Sequence, residues 1–188
     1  MKKLYLAFIF LVLANNTFAQ NFEVSKFCSV DNTSIEVSEL KFSFDLKDVS
    51  KINILNGSSA SSVVSFKDSW LPELHIITTS EDNVSGGINT SGGYEKLGVS
   101  DLTTLFNKIK SDKSKDEYFV KVKKAMGLTN PDSLTIIQSD KYNLYVMIDN
   151  IMGKDTIYIL RHGDPRIMML IADLTEYNTY KLLEHICI

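Results

Sequence analysis

Arginine is nearly missing from this sequence: Arg161 and Arg166 are its only two, among 20 basic residues set against 23 acidic ones. With a formal net charge of −3 and no basic stripe, the chain lacks the phosphate contacts that dominate nucleic-acid affinity. Nucleic acid and anionic membrane surfaces are therefore not expected partners. Histidine is also scarce. His75, His162 and His185 lie far apart, with neither H-x-x-x-H nor H-E-x-x-H spacing, so no metal site and no cofactor are expected. No Gly-x-Ser-x-Gly elbow and no Gly-Lys-Ser/Thr phosphate loop occurs. Paired carboxylates such as Glu81 and Asp82, or Asp116 and Glu117, sit in polar contexts where solvated charge is the ordinary state.

Long apolar runs are missing too. The one candidate, Leu4 to Ala14, is about half of the roughly 20 residues that a membrane-crossing helix needs. Preceded by Lys2 and Lys3 and followed by the small-x-small site Thr17-Phe18-Ala19, it reads as a secretory signal over residues 1–19. The expectation is a soluble periplasmic or secreted protein that begins at Gln20, carries no membrane span once mature and forms one domain over residues 20–188. Only two cysteines are present, Cys28 and Cys187, near opposite ends of the mature chain. In an oxidising compartment an even pair is expected to form a disulfide, which the chain-entropy account values at about 4–5 kcal/mol for so long a loop.

The chain is organised around its last third. Asn143 to Asp149, Asp155 to Arg161 and Arg166 to Ala172 read as three strands joined by turns rich in Asn, Gly, Asp and Pro, with a helix over Asp173 to Ile186. These strands do not alternate polar with apolar. Leu144 and Val146 share one face while Tyr145 and Met147 take the other, and Ile157 and Ile159 oppose Tyr158 and Leu160. Both faces are greasy, so both need a cover, and the closing helix supplies only one.

Further strands are expected over Lys41 to Leu46, Lys51 to Leu55, Leu71 to Thr79 and Leu134 to Gln138, with Pro72 limiting the start of the third of these to an edge. Residues 80–98 contain Ser85-Gly-Gly87 and Ser91-Gly-Gly93 and read as a flexible Gly/Ser-rich loop. Two helices follow. Ser100 is placed to cap the first, along which Leu102, Leu105, Phe106 and Ile109 share a face. Ser114 and Glu117 have capping-box spacing for the second, with Phe119, Val122 and Met126 in a stripe, Gly127 at its end and Lys121, Lys123 and Lys124 on its solvated side. These helices are the natural second cover. The predicted fold is α+β: an antiparallel sheet with a C-terminal β-meander, two inserted helices and a closing C-terminal helix.

Arg161-His162-Gly163-Asp164 resembles the Arg-His-Gly signature of the histidine phosphatase superfamily, in which the histidine accepts a phosphoryl group and arginines clamp it. That family sets the motif after the first strand of a doubly wound sheet, whereas here it falls late in the chain at a turn ending in Asp164-Pro165. The arrangement from Leu46 to Leu55 through helices and meander to a terminal Asp-Leu-Thr segment also resembles small exported domains of unknown function in Gram-negative bacteria. That resemblance implies a non-enzymatic role. The function expected is recognition of another envelope or secreted protein through Trp70, Tyr145, Tyr158 and Met168, or through the adjoining Gly-rich loop, with an immunity-type inhibitor of a periplasmic toxin as one variety. The competing expectation is a small hydrolase using His162 or His75. A fully buried Tyr145 and Tyr158 would assign those two side chains to the core instead.

Overall fold

A computed structural model describes residues 34–37, 40–44, 47–55, 61–67, 70–88, 91–112, 115–128, 130, 133–148 and 155–187. Residues 1–19, Cys28, Leu46 and Ser114 lie outside the described residues. Ten strands and five helices are described: β1 (Ser34–Val37), β2 (Leu40–Ser43), β3 (Val49–Leu55), β4 (Ser61–Phe66), β5 (Glu73–Ser80), α1 (Glu81–Val84), α2 (Gly93–Leu97), α3 (Leu102–Ser111), α4 (Glu117–Ala125), β6 (Leu134–Gln138), β7 (Tyr142–Met147), β8 (Asp155–Arg161), β9 (Arg166–Ala172), α5 (Glu176–Glu184) and β10 (Ile186–Cys187).

Seven strands form one antiparallel sheet in the order β3-β4-β5-β9-β8-β7-β6. The fold is α+β, with the meander of β6 to β9 returning to dock on β5. Because β5 sits mid-sheet and β6 at the far edge, the chain between them must pass over β9, β8 and β7. It does so as helices, and this crossover forms the second cover. Phe106 of α3 stacks on Tyr145 with ring centroids 4.3 Å apart and lies 5.4 Å from the Tyr158 ring. Leu102, Leu105, Ile109, Phe119 and Val122 pack beside them against Met147 and Ile167. Burying each such side chain contributes about 1.5–3 kcal/mol, so the helix layer is integral to the domain.

The other face carries Leu74, Ile76, Leu144, Val146, Ile157, Ile159, Met168 and Leu170, covered by Leu182, Leu183 and Ile186 and by Phe42 and Phe44. Phe42 belongs to a small sheet of order β1-β2-β10, in which Ile186 pairs with Phe42 and Cys187 with Lys41, and Phe44 follows β2 directly. The last residues thus leave α5 and become a strand, where the sequence reading continued the helix to Ile186. Leu182 and Leu183 fill one side of α5, while Ile186 is drawn inward by its partner strand.

Several local expectations shift. Asp101, not Ser100, caps α3: its carboxylate accepts from the Thr104 N–H at 2.8 Å, and the Thr104 hydroxyl accepts from the Asp101 N–H at 3.1 Å. Asp116 caps α4, accepting from the Phe119 N–H at 2.8 Å. Lys123 does not lie on a solvated side; it is buried, with Nζ 4.6 Å from the Phe119 ring centroid. Its aliphatic stem covers apolar surface as long cationic side chains do. Pro72 precedes β5, whose first residues Glu73 and Leu74 pair with β4 alone, while the ladder to β9 begins at His75; the Pro72 carbonyl accepts from the Phe66 N–H at 2.9 Å.

The Gly/Ser-rich segment is folded where it is described. Glu81, on α1, accepts from the Tyr94 hydroxyl at 2.8 Å and from the Leu102 N–H at 2.7 Å, tying α1, α2 and the start of α3 together. Burial and this carboxylate push the Tyr94 phenol well above its ordinary range, which keeps it a donor. Gly93 makes the close approach: its N–H donates to the Ile88 carbonyl at 2.7 Å, and a Cβ there would fall 2.6 Å from both Ile88 Cγ2 and that oxygen and closer still to the Tyr118 hydroxyl. Gly93→Ala is therefore expected to destabilise the domain by about 1–3 kcal/mol, read as a melting temperature lower by several degrees, whereas Ser91→Ala at the exposed neighbouring turn leaves it within about 0.5 kcal/mol.

Candidate functional site

The four sequence-derived site residues separate. Tyr145 and Tyr158 pair across β7 and β8 on the helix side and are 0 % and 8 % exposed, so both are core beneath α3. Burial pushes the Tyr158 phenol up to about 12, and the Tyr145 phenol is raised as well. Met168 does not share their face. It pairs with Ile159 and belongs with Leu144 and Leu170 on the opposite side of the sheet, while Met169 is the residue beside Tyr158. Side chains alternate with period two along a strand, so grouping Met168 with the tyrosines was a one-residue slip. Trp70 alone stays at a surface, half-buried in the connection from β4 to β5.

Trp70 anchors an array drawn from four parts of the chain. Thr175 caps α5 through its hydroxyl, and Asn178, one turn in, donates from Nδ2 to the Trp70 carbonyl at 2.9 Å. That bond fixes the connection against α5. The outer side of the helix carries Tyr177, Lys181 and His185 at i, i+4 and i+8, a spacing that lines residues up one above another. Lys181 Nζ lies 4.5 Å from the Trp70 ring centroid, and His185 stacks on Trp70 at 6.0 Å with 19° between planes. His185 also stacks on Phe44 at 5.1 Å, and Phe44 meets Phe66 edge-on at 4.9 Å. Tyr177 is 71 % exposed.

Sequence reasoning missed Tyr177 and Lys181 and weighed His185 as a metal ligand. The signal was present in their spacing, but only the position of Trp70 makes the stripe a site. Chemically, the array offers flat aromatic area, one ammonium and an imidazole held between rings. Such a surface binds side chains through stacking, cation–π attraction and apolar contact, each worth about 0.5–1.5 kcal/mol.

The histidines expected of a hydrolase lie on separate surfaces. His162 sits in the β8–β9 turn, where its N–H donates to the Lys141 carbonyl at 2.8 Å and Nδ1 lies 3.0 Å from the Asp140 carbonyl oxygen. It pins this hairpin to the neighbouring one. In the same turn Gly163 has φ of +80°, and Arg166 grips Asp164 through Nε at 3.0 Å and Nη2 at 2.7 Å. The motif that resembles a phosphatase signature is thus a hairpin turn with its acid engaged by its own arginine. His75 lies half-buried on β5 beside Glu73 at 3.3 Å, opposite Val63 and Ile171. Ser65 stands opposite Glu73 and not opposite the imidazole. Among the described residues, no three His, Cys, Asp or Glu side chains gather as a metal site requires, and no helix is long and apolar enough to cross a membrane.

Comparison with known proteins adds little. No family model matches the chain, and no curated protein matches it. A solved structure described as a GTP binding regulator from Thermotoga maritima is similar over 73 % of this chain and 76 % of its own, at 8 % identity and a TM-score of 0.29. A likeness that slight carries no argument about fold or function.

The Tyr145 hydroxyl is near Thr103 yet meets no partner with hydrogen-bond geometry among the described residues, so Tyr145→Phe is expected to leave stability unchanged or raise it by up to about 1–2 kcal/mol, whereas Tyr158→Ala costs about 3–5 kcal/mol in chemical denaturation. The hydrogen bonds from Arg166 hold the Asp164 carboxyl at about 2, below the ordinary carboxylate value of 3.8. A depressed carboxylate contributes stability above its unfolded value and loses it as pH falls towards 2. Asp164→Asn is expected to remove that portion of the acid dependence, at most about 1 kcal/mol after solvent screening, when melting is followed from pH 5 to pH 2.

Proposed function

We propose that the protein is an exported, non-catalytic recognition module that binds another envelope or secreted protein through the Trp70 face. The observation that carries this reading is the stripe of Tyr177, Lys181 and His185 laid against a half-buried tryptophan. Tryptophan and tyrosine dominate binding energetics where they are rigidly seated, because little side-chain entropy is lost on contact. Trp70 is seated from three sides, by Asn178 on its backbone and by Lys181 and His185 on its ring. Tyr177 projects beyond them as an exposed contact. The reading includes export directed by residues 1–19 and a bridge between Cys28 and Cys187. In its support, β10 sets Cys187 against Lys41 of β2, so the C-terminal cysteine returns towards the N-terminal part of the chain.

The test is affinity capture from an envelope extract, identified by mass spectrometry, using protein whose N-terminal residue reads Gln20. Tyr177→Ala and Trp70→Ala are expected to weaken capture of the same partner by about tenfold or more, the size of a 1.4 kcal/mol contact, with the melting temperature of Tyr177→Ala nearly unchanged. A capture profile identical for the parent and both variants would remove this face from consideration.

A further inference from the structure

Strand β3 ends the large sheet, and no described strand pairs with its outer side. Two isoleucines are exposed on it, Ile52 at 40 % and Ile54 at 71 %. Natural sheets commonly blunt such an edge with charge, proline or a cover, since an exposed apolar strand is a template for pairing with another chain. Here Lys51 and the bulge beside it stand at one end of the strand, and beyond them Ile52 and Ile54 are exposed on one face.

The free backbone groups can be assigned. The Lys67 N–H donates to the Asp48 carbonyl at 2.7 Å, and the Phe66 N–H to the Pro72 carbonyl at 2.9 Å. In an antiparallel ladder the main-chain groups of successive residues point to alternate sides, so Ser65, Val63 and Ser61 turn theirs towards β3. Their partners Lys51, Asn53 and Leu55 turn inward to meet them. Ile52 and Ile54 therefore direct N–H and C=O to the open edge.

We infer that this edge pairs with the same edge of a second copy of the chain, with Ile52 of each copy opposite Ile54 of the other. Two-fold antiparallel pairing is isologous and requires self-complementarity, and this register supplies it. Both outward-facing residues of each copy enter hydrogen-bonded pairs, giving four new backbone bonds. Ile52 and Ile54 stack as apolar cross-strand pairs, and Asn53 meets Asn53 on the other face. Lys51 stands opposite residue 55, which leaves the two Lys51 positions roughly 13 Å apart along the strand at about 3.3 Å per residue, beyond the screening length of about 8 Å at physiological salt. Of the two neighbouring symmetric registers, Ile52 opposite Ile52 pushes Ile54 against Ser50 at the bulge between Val49 and Lys51, where the ladder is irregular, and Ile54 opposite Ile54 sets Ile52 against a position beyond the described end of β3. The sheet would continue across the pair as fourteen strands, twice the seven of one copy.

The inference is independent of the Trp70 face and is tested by light scattering on the purified protein beginning at Gln20. The expected result is twice the monomer mass, returning to one monomer mass in Ile54→Lys while circular dichroism shows the fold retained. Directly opposed non-hydrogen-bonded residues bring their Cβ atoms to about 4.5–5.5 Å, so Asn53→Cys is expected to give a covalent dimer on a non-reducing gel where the parent protein gives none. A parent that remains monomeric at its highest soluble concentration would overturn the inference. So would a dimer that persists in Ile54→Lys and gives no cross-link in Asn53→Cys.

Discussion

The ladder between β5 and β9 is the constraint on which the rest of the structure depends. It joins His75 to Ile171, Ile76 to Leu170 and Ile77 to Met169, uniting strands from the first and last parts of the chain at the centre of one sheet. Once it is fixed, the meander must run outward from β9 to β6, and the chain leaving β5 must travel over that meander to reach its far edge. The helices lie where they do because of this route. Their apolar stripes, Leu102, Leu105, Phe106 and Ile109 on α3 and Phe119 and Val122 on α4, then meet the face that carries Tyr145 and Tyr158.

Much of this was legible from residue patterns. The strands Asp155–Arg161, Arg166–Ala172 and Leu134–Gln138 appear with the limits read from sequence, because turn residues bracket continuous apolar runs. The need for covers on both faces was legible for the same reason. What failed was local chemistry with several near-equal choices. Ser100 and Asp101 both suit a cap, and only the reciprocal bond with Thr104 decides between them. Lys123 is charged, yet its stem lies on Phe119. Met168 and Met169 are adjacent and alike, so a slip of one position moved the wrong residue onto the tyrosine face.

The candidate site was legible only as one tryptophan. Its neighbours Phe44, Lys181 and His185 come from β2's end and from α5, and long-range convergence leaves no local trace. The helix stripe beneath it has its own logic. α5 turns Leu182 and Leu183 inward, so Tyr177, Lys181 and His185 are left on the outside, and Asn178 locks the loop that brings Trp70 to them. A recognition surface built this way is rigid because each side chain is held by another element, which limits the ordering cost of contact.

The central position of β5 also governs how the molecule comes into being. A chain emerging from its N-terminus completes β3, β4 and β5 early, but the strand that closes the inner border of β5 is almost the last to appear. Until then the half-built sheet presents a raw hydrogen-bonding margin, a condition that invites mispairing and slows maturation. The chain that leaves β5 for the far edge is tied down at its start by a single carboxylate, Glu81, joining three segments at once. Removing that carboxylate would therefore loosen the beginning of the crossover at three places rather than one.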